Sequence, residues 1–214
     1  GLKFAPNMDA PYFTLAHPVE GLLKDRGSAF HALVVPADSP EVFHEAMAAW
    51  VARHRGARHH AWAYRIRGTS ELDERSHDAG EPNHSAGTPI LHALQSFEVQ
   101  DVGAVVTRYF GGVKLGVGGL INAYRGAAED ALRQSERALR HPEVYAELVL
   151  SYELLGRMEA DATDPRIRWI ARDFGEVVTL NVAVWAEAQQ EWEAHWNQCY
   201  PLKWKWLAKG QSPN

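Results

Sequence analysis

The chain has 214 residues, 46% of them hydrophobic, which is enough for one large domain or two small ones. Its formal net charge of −5 excludes a protein that coats nucleic acid through global positive charge. No apolar run approaches the ~20 residues that span a bilayer, so no membrane partner is expected.

In chain order, YFTLAH (12–17) and SAFHALVVPA (28–37) read as strands, with GLLKDRG (21–27) as the turn between them. DSPEVFHEAMAAWVARH (38–54) reads as a helix. Ser39 is placed to cap it, Pro40 takes the first helical position and Glu41 the first turn. Val42, Phe43, Ala46, Met47, Trp50 and Val51 recur at helical spacing and make its core face. RHHAWAYRIRG (58–68) alternates as a strand, with His60, Trp62, Tyr64 and Ile66 on one face. The polar stretch 69–87 reads as a long loop, and PILHALQSF (89–97) as a short helix. DVGAVVTRY (101–109) has apolar residues on both faces, as a covered central strand does.

A helix is predicted from about Gly119 to Arg140, with Leu120, Tyr124, Ala127 and Ala131 as its buried stripe and Glu129–Arg133 and Glu136–Arg140 as four-residue charge pairs. RHPEV (140–144) reads as a linker. Beyond it come a strand (144–153), a helix (154–162), a hairpin of strands 166–174 and 176–185 across Gly175, a helix (187–198) and a last strand, CYPLKWKWLA (199–208). That order is the split βαβ pattern of ferredoxin-like domains.

The feature that needs explaining lies between the central strand and the long helix. RYFGGVKLGVGGLINAY (108–124) holds five glycines among the nine residues 111–119. Glycine loses more conformational entropy on folding than any other residue, so such a cluster serves positive φ or close approach. Strand, glycine-rich loop and helix start together make a cradle for an anion, because the first helical N–H groups lack internal partners and the dipole favours negative charge. Within residues 102–128 the only formal charges are Arg108, Lys114 and Arg125, a locally basic patch. Neither a Walker loop nor a G-x-G-x-x-G fingerprint fits the spacing. The competing use of the glycines is close packing of loop and helix against the sheet, and the spacing leaves both uses open.

The stretch resembles the signature of the YigZ/Impact family, roughly R-Y-F-G-G-x-x-L-G-x-G-G-L-x-x-A-Y, at every fixed position. HDAGEPNHSAGTP (77–89) is similar to a second family stretch, D-D-G-E-P-S-G-T-A-G-x-P, agreeing at Asp78, Gly80, Glu81, Pro82, Ala86, Gly87 and Pro89, with Asn83, His84 and Ser85 in place of Ser-Gly-Thr. HHAWAY resembles H-x-C-W-A-Y with Ala61 for cysteine, RGSAF resembles K-G-S-R-F with Ala29 for arginine, and DFGEVVTL resembles D-Y-G-x-x-V-T-L. The resemblance implies an α+β protein of two domains, residues 1–141 and 142–214. The first would be an α/β sandwich with the ribosomal-protein-five-like fold, like the fourth domain of elongation factor G. The second would be ferredoxin-like, like that factor's fifth domain. Eukaryotic members of the family resemble translation regulators that bind a protein partner.

Two functions follow as expectations. The first is a non-catalytic binding protein that contacts RNA, the ribosome or a translation-related partner. Its binding residues would be Arg108, Gly111, Gly112, Lys114, Gly116, Gly118, Gly119 and Arg125. Glu81 would act by holding the glycine loop through its N–H groups, or else be a turn residue in solvent. The second is a hydrolase or metal-dependent enzyme that uses the loop 77–92, which carries His77, Asp78, Glu81, His84 and His92, with His59 and His60 nearby on a strand. No zinc motif is present, and Ser85 is not in a G-x-S-x-G elbow. No cofactor, metal ligand or catalytic residue is therefore assigned. The lone Cys199 and a first segment, GLKFAPNMDA, without secretory-signal features give a cytoplasmic expectation. Six of the eight tryptophans fall after residue 143 and are either core filling or a stacking surface.

Overall fold

The computed structural model describes residues 5–199 and 202–213. The chain is α+β and forms two compact units, one comprising Tyr12–Arg140 and the other running from His141 onward together with Asn7–Pro11.

The first unit is built on β2 (Val19–Asp25), β3 (Ser28–Pro36), β4 (His59–Arg67), β5 (Leu72–His77) and β6 (Val102–Tyr109). They form one antiparallel sheet in the order β2-β3-β6-β4-β5. The centre belongs to β6, as its two apolar faces require. Helix α1 (Pro40–Arg53) covers one face, and α2 (Gly87–Ser96) and α3 (Gly116–Arg133) cover the other. Ser39 caps α1, its hydroxyl accepting from the Val42 N–H at 3.2 Å. Phe43 and Trp50 are buried and Ala46 and Met47 pack beside them, but Val42 is exposed and Val51 only half-buried, so the apolar stripe is narrower than its spacing suggests. On the opposite face, Leu120, Tyr124, Ala127 and Ala131 form the buried stripe of α3 against Phe30, Ala104 and Val106.

Three elements differ from the sequence reading. GLLKD is strand, and the reversal is confined to Arg26 and Gly27, at φ 45° and 81°; two successive left-handed residues match the strand twist of a tight hairpin. The stretch 69–87 contains the edge strand β5. Helix α3 ends at Arg133, where the Ser135 N–H and hydroxyl both bond the Leu132 carbonyl, at 3.0 and 2.6 Å. Arg137–Arg140 then form β7, paired with β1 (Tyr12–Leu15). Glu136 and Arg140 thus share no helix, and the helical pairs that form are Arg125–Glu129 and Asp130–Arg133.

The second unit runs β8 (Glu143–Leu150), α4 (Tyr152–Met158), β9 (Ile167–Phe174), β10 (Val178–Trp185), α5 (Gln189–Gln198) and β11 (Lys203–Trp206). The strands are antiparallel in the order β11-β8-β10-β9, the arrangement of a split βαβ domain. Tyr200 and Pro201 of the expected last strand lie outside the described residues. Trp192 and Trp196 are buried, and the Trp196 ring lies 5.5 and 5.3 Å from those of Trp204 and Trp206. Trp169 and Trp185 pack against the same cluster. Core filling is therefore what these six rings do.

Candidate functional site

The glycine loop leaves β6 at Tyr109 and enters α3 at Gly116. At Gly111 a Cβ would lie 2.0 Å from the Gly27 carbonyl carbon, so the loop and the β2–β3 turn touch backbone to backbone. The Gly111 N–H donates to the Ser28 hydroxyl at 3.0 Å. Gly112 and Gly116 stand at φ +92° and +73°, which a side chain resists. Around Gly118 there is open space. Leu115 offers α3 no side-chain cap. Gly116, Val117 and Gly118 are exposed residues in the first turn of an 18-residue helix, where N–H groups lack acceptors within the helix, and their N–H groups donate to no loop carbonyl or side chain among the described residues.

Beneath the loop lies a buried ion pair. Arg108 Nη1 donates to both Glu81 oxygens at 2.8 and 3.1 Å, and the Tyr124 hydroxyl donates to Glu81 Oε1 at 2.7 Å. The side chains of Arg108 and Glu81 are only 10% and 4% exposed. Neither expectation for Glu81 holds: it touches no loop amide and it is not in solvent. It neutralises Arg108. Burial, followed by the bond to Glu81, pushes the Tyr124 phenol far above its ordinary range, so it stays protonated and donates.

Asp78 and Ser85 of the same stretch are also committed, whereas the His92 side chain is exposed. Burial alone would raise the Asp78 carboxyl, but the N–H groups of Gly87, His84 and Ala86 outweigh it and hold it below the usual value. Their bonds, at 2.8, 2.9 and 3.2 Å, make Asp78 the anchor of the α2 N-terminus. Ser85 is fully buried, its hydroxyl donating to the Pro82 carbonyl at 2.6 Å. Among the described residues no group of three or more His, Cys, Asp or Glu could hold a metal, and no helix is long and apolar enough to cross a membrane.

A cleft of about 790 Å³ opens beside the loop. One wall is Phe110, Lys114, Leu115, Gly116, Val117 and Leu120; the other is 56–59 and Pro82, with Arg108 and Glu81 between. Phe110 is 62% exposed. Lys114 and Arg58 are exposed and make no ion pair among the described residues. The guanidinium of Arg26 reaches to 3.5 Å from where a Cβ of Gly119 would stand. Arg125 is not part of this wall, since it is tied to Glu129 at 2.6 Å and to the Ser96 hydroxyl at 2.9 Å. The cleft thus gathers Arg108, Lys114 and Gly116, leaves Arg125 aside, and does not take Gly111, Gly112, Gly118 or Gly119 into its lining. It adds Arg58 and Phe110, with Arg26 near Gly119 outside the lining and paired with Asp25 at 3.4 Å. The signal for Arg58 was present: residues 46–70 hold five arginines and no carboxylate.

A family model for the Impact N-terminal domain matches residues 26–132, which contain every element of this cleft. The Escherichia coli IMPACT family member YigZ is 33% identical over 84% of this chain and 88% of its own length. The chain belongs to the IMPACT family. An IMPACT family member of Thermus thermophilus is 47% identical over 52% of this chain, a match that spans 58% of that relative. A crystal structure of a hypothetical protein superposes with a TM-score of 0.71 at 30% identity, covering 93% of this chain and 98% of that one.

This IMPACT family member also carries a histidine group on the α1 side of its sheet. The Thr107 hydroxyl accepts from Trp50 Nε1 at 2.9 Å and bonds His60 Nδ1 at 2.7 Å. His54 Nδ1 lies 2.8 Å from the Tyr109 hydroxyl, and its ring is 5.6 Å from that of His31. Burial holds His54 below its ordinary value, helped by His31, Arg53 and His60; burial does the same for His60, helped by His59. The fold thus disfavours both imidazoliums, and the unfolded chain takes up these protons first. Stability is full above about pH 6.5 and falls as pH drops below it. Urea midpoints from about pH 7.5 to about pH 5.5 will show the slope, and the double variant His54→Gln with His60→Gln will flatten it.

Proposed function

We propose that this IMPACT family member is a non-catalytic binding protein of the cytoplasm that contacts RNA or the ribosome through the cleft beside its glycine loop, in a translation-regulating role. Domain 1–141 carries the site, and domain 142–214 is a separate ferredoxin-like module. The observation that supports this reading most is the meeting of three features on one wall: α3 amides without acceptors, the unpaired Lys114 and the exposed ring of Phe110. Amides and cations suit backbone phosphates, and an exposed aromatic suits a stacked base. The resemblance to a family with translation-regulating eukaryotic members supports the cellular role. Of the residues an enzyme would draw from 77–92, the two carboxylates, Asp78 and Glu81, are engaged in structural bonds.

Few cations release few counterions, so binding will be modest and salt-sensitive. Lys114→Glu is expected to weaken binding of labelled single-stranded RNA at least about tenfold in fluorescence anisotropy at low salt. Unchanged binding removes Lys114 from the site. Absence of binding by the wild type, together with no co-sedimentation with ribosomes at low salt, removes the reading itself.

A further inference from the structure

Arg108 is only half satisfied. Its Nη1 serves Glu81, but the buried Nε has no partner, and Nη2 makes no bond among the described residues. The Nε–H and Nη2–H of a guanidinium point the same way along one edge, a fork that takes two oxygens of a phosphate or carboxylate. Native structures seldom leave such a donor buried and unmade. Arg108 lines the cleft, and Nη2, unbonded but not among the sealed atoms, is the end of that edge an acceptor from the cleft meets first.

The surroundings select what that acceptor belongs to. Glu81 already balances one positive charge, and Lys114 adds another that no carboxylate among the described residues balances. The first amides of α3 add donors without acceptors on the same wall. Next to this polar corner the cleft is apolar, with Leu115, Leu120 and Pro82 beneath the exposed Phe110, whose ring centroid lies 5.5 Å from the Arg108 guanidinium. A volume of about 790 Å³ is far more than a bare oxyanion fills and is of the size that takes a small organic ligand.

We propose that the cleft binds one nucleotide unit, its phosphate on the free edge of Arg108, Lys114 and the first amides of α3, and its base against Phe110. The unit is either a free nucleoside monophosphate or one residue of a single-stranded RNA. The inference rests on the RNA-binding reading of the same loop and gives it a pocket.

The test is anisotropy of a short labelled oligouridylate with the full chain, competed by adenosine monophosphate, adenosine and inorganic phosphate. Phe110→Ala removes an exposed ring and leaves the fold intact. It is expected to weaken the oligonucleotide about tenfold, as loss of one stacked base does, and Phe110→Trp to retain affinity. Adenosine monophosphate is expected to compete better than adenosine or phosphate. If the oligonucleotide binds and responds to Phe110 but the mononucleotide does not compete, the unit comes from an RNA chain. If only the mononucleotide binds, by calorimetry, the pocket stands and the RNA reading falls. RNA binding indifferent to Phe110→Ala overturns the pocket and leaves the RNA reading. Phosphate competing as well as the mononucleotide also overturns it, since the site is then for an anion alone. No binding of either ligand removes both.

Discussion

Replacing Glu81 with alanine is expected to destabilise the first unit by about 3–5 kcal/mol, the cost of leaving a buried charge without its partner. The arginine it strands is 10% exposed, lies 5.9 Å from the Phe30 ring on the core side, and has no second carboxylate within bonding distance among the described residues. Tyr124 loses its acceptor in the same step. With domain stabilities of about 5–15 kcal/mol, one substitution removes a large share of the total. Tyr124→Phe breaks only a hydrogen bond and should cost about 1–2 kcal/mol. The double variant Glu81→Leu with Arg108→Met separates the mechanisms: a buried pair replaced by apolar groups is often neutral or better, so it should recover most of the loss while the anion site stays broken. Hydrogen exchange of the β6 amides in urea reads the first unit alone. A Glu81→Ala loss under about 1 kcal/mol would mean that water reaches Arg108 and that the pair is not buried in solution.

That ion pair shows where sequence reading ran out. The glycine motif, the central strand and the stripe of α3 were legible because their signals are local. The destination of Glu81 was not, because Arg108 and Tyr124 stand 27 and 43 residues away and only the fold of the sheet brings them together. Strand β2 looked like a turn because of Gly21. That glycine faces α3, where a Cβ would come within 2.4 Å of the Ala131 amide nitrogen, so it lets helix and strand close up. Strand β5 is an exposed edge, with no burial to imprint alternating apolar residues on LDERSH. The stretch 134–140 has good helix formers, yet pairing with β1 takes Arg137–Arg140; tertiary contact overrode propensity. In the second unit the strand and helix order alone carried the topology, because each element has its own clear period.

The five glycines of the loop can be sorted by experiment, and the sorting decides what the loop is for. Gly111→Ala is expected to lower stability by about 1–3 kcal/mol, as overpacking does, because the new methyl would meet the Gly27 carbonyl at 2.2 Å and the Ser28 nitrogen at 2.3 Å. The turn and the loop must part, and the Gly111–Ser28 bond goes with them. Gly118→Ala has the opposite sign. Its surroundings are empty within 4 Å and its φ is not left-handed, so the methyl costs nothing in the fold and lowers the entropy of the unfolded chain. A gain of about 0.5–1 kcal/mol is expected. A gain in stability by itself says nothing of a ligand, since natural proteins are rarely at their stability optimum, so RNA affinity decides. If a phosphate is drawn onto the α3 amides, Gly118→Ala will raise the melting temperature and weaken RNA binding together, a combination that no packing role produces. A more stable variant with unchanged affinity would take Gly118 out of the site.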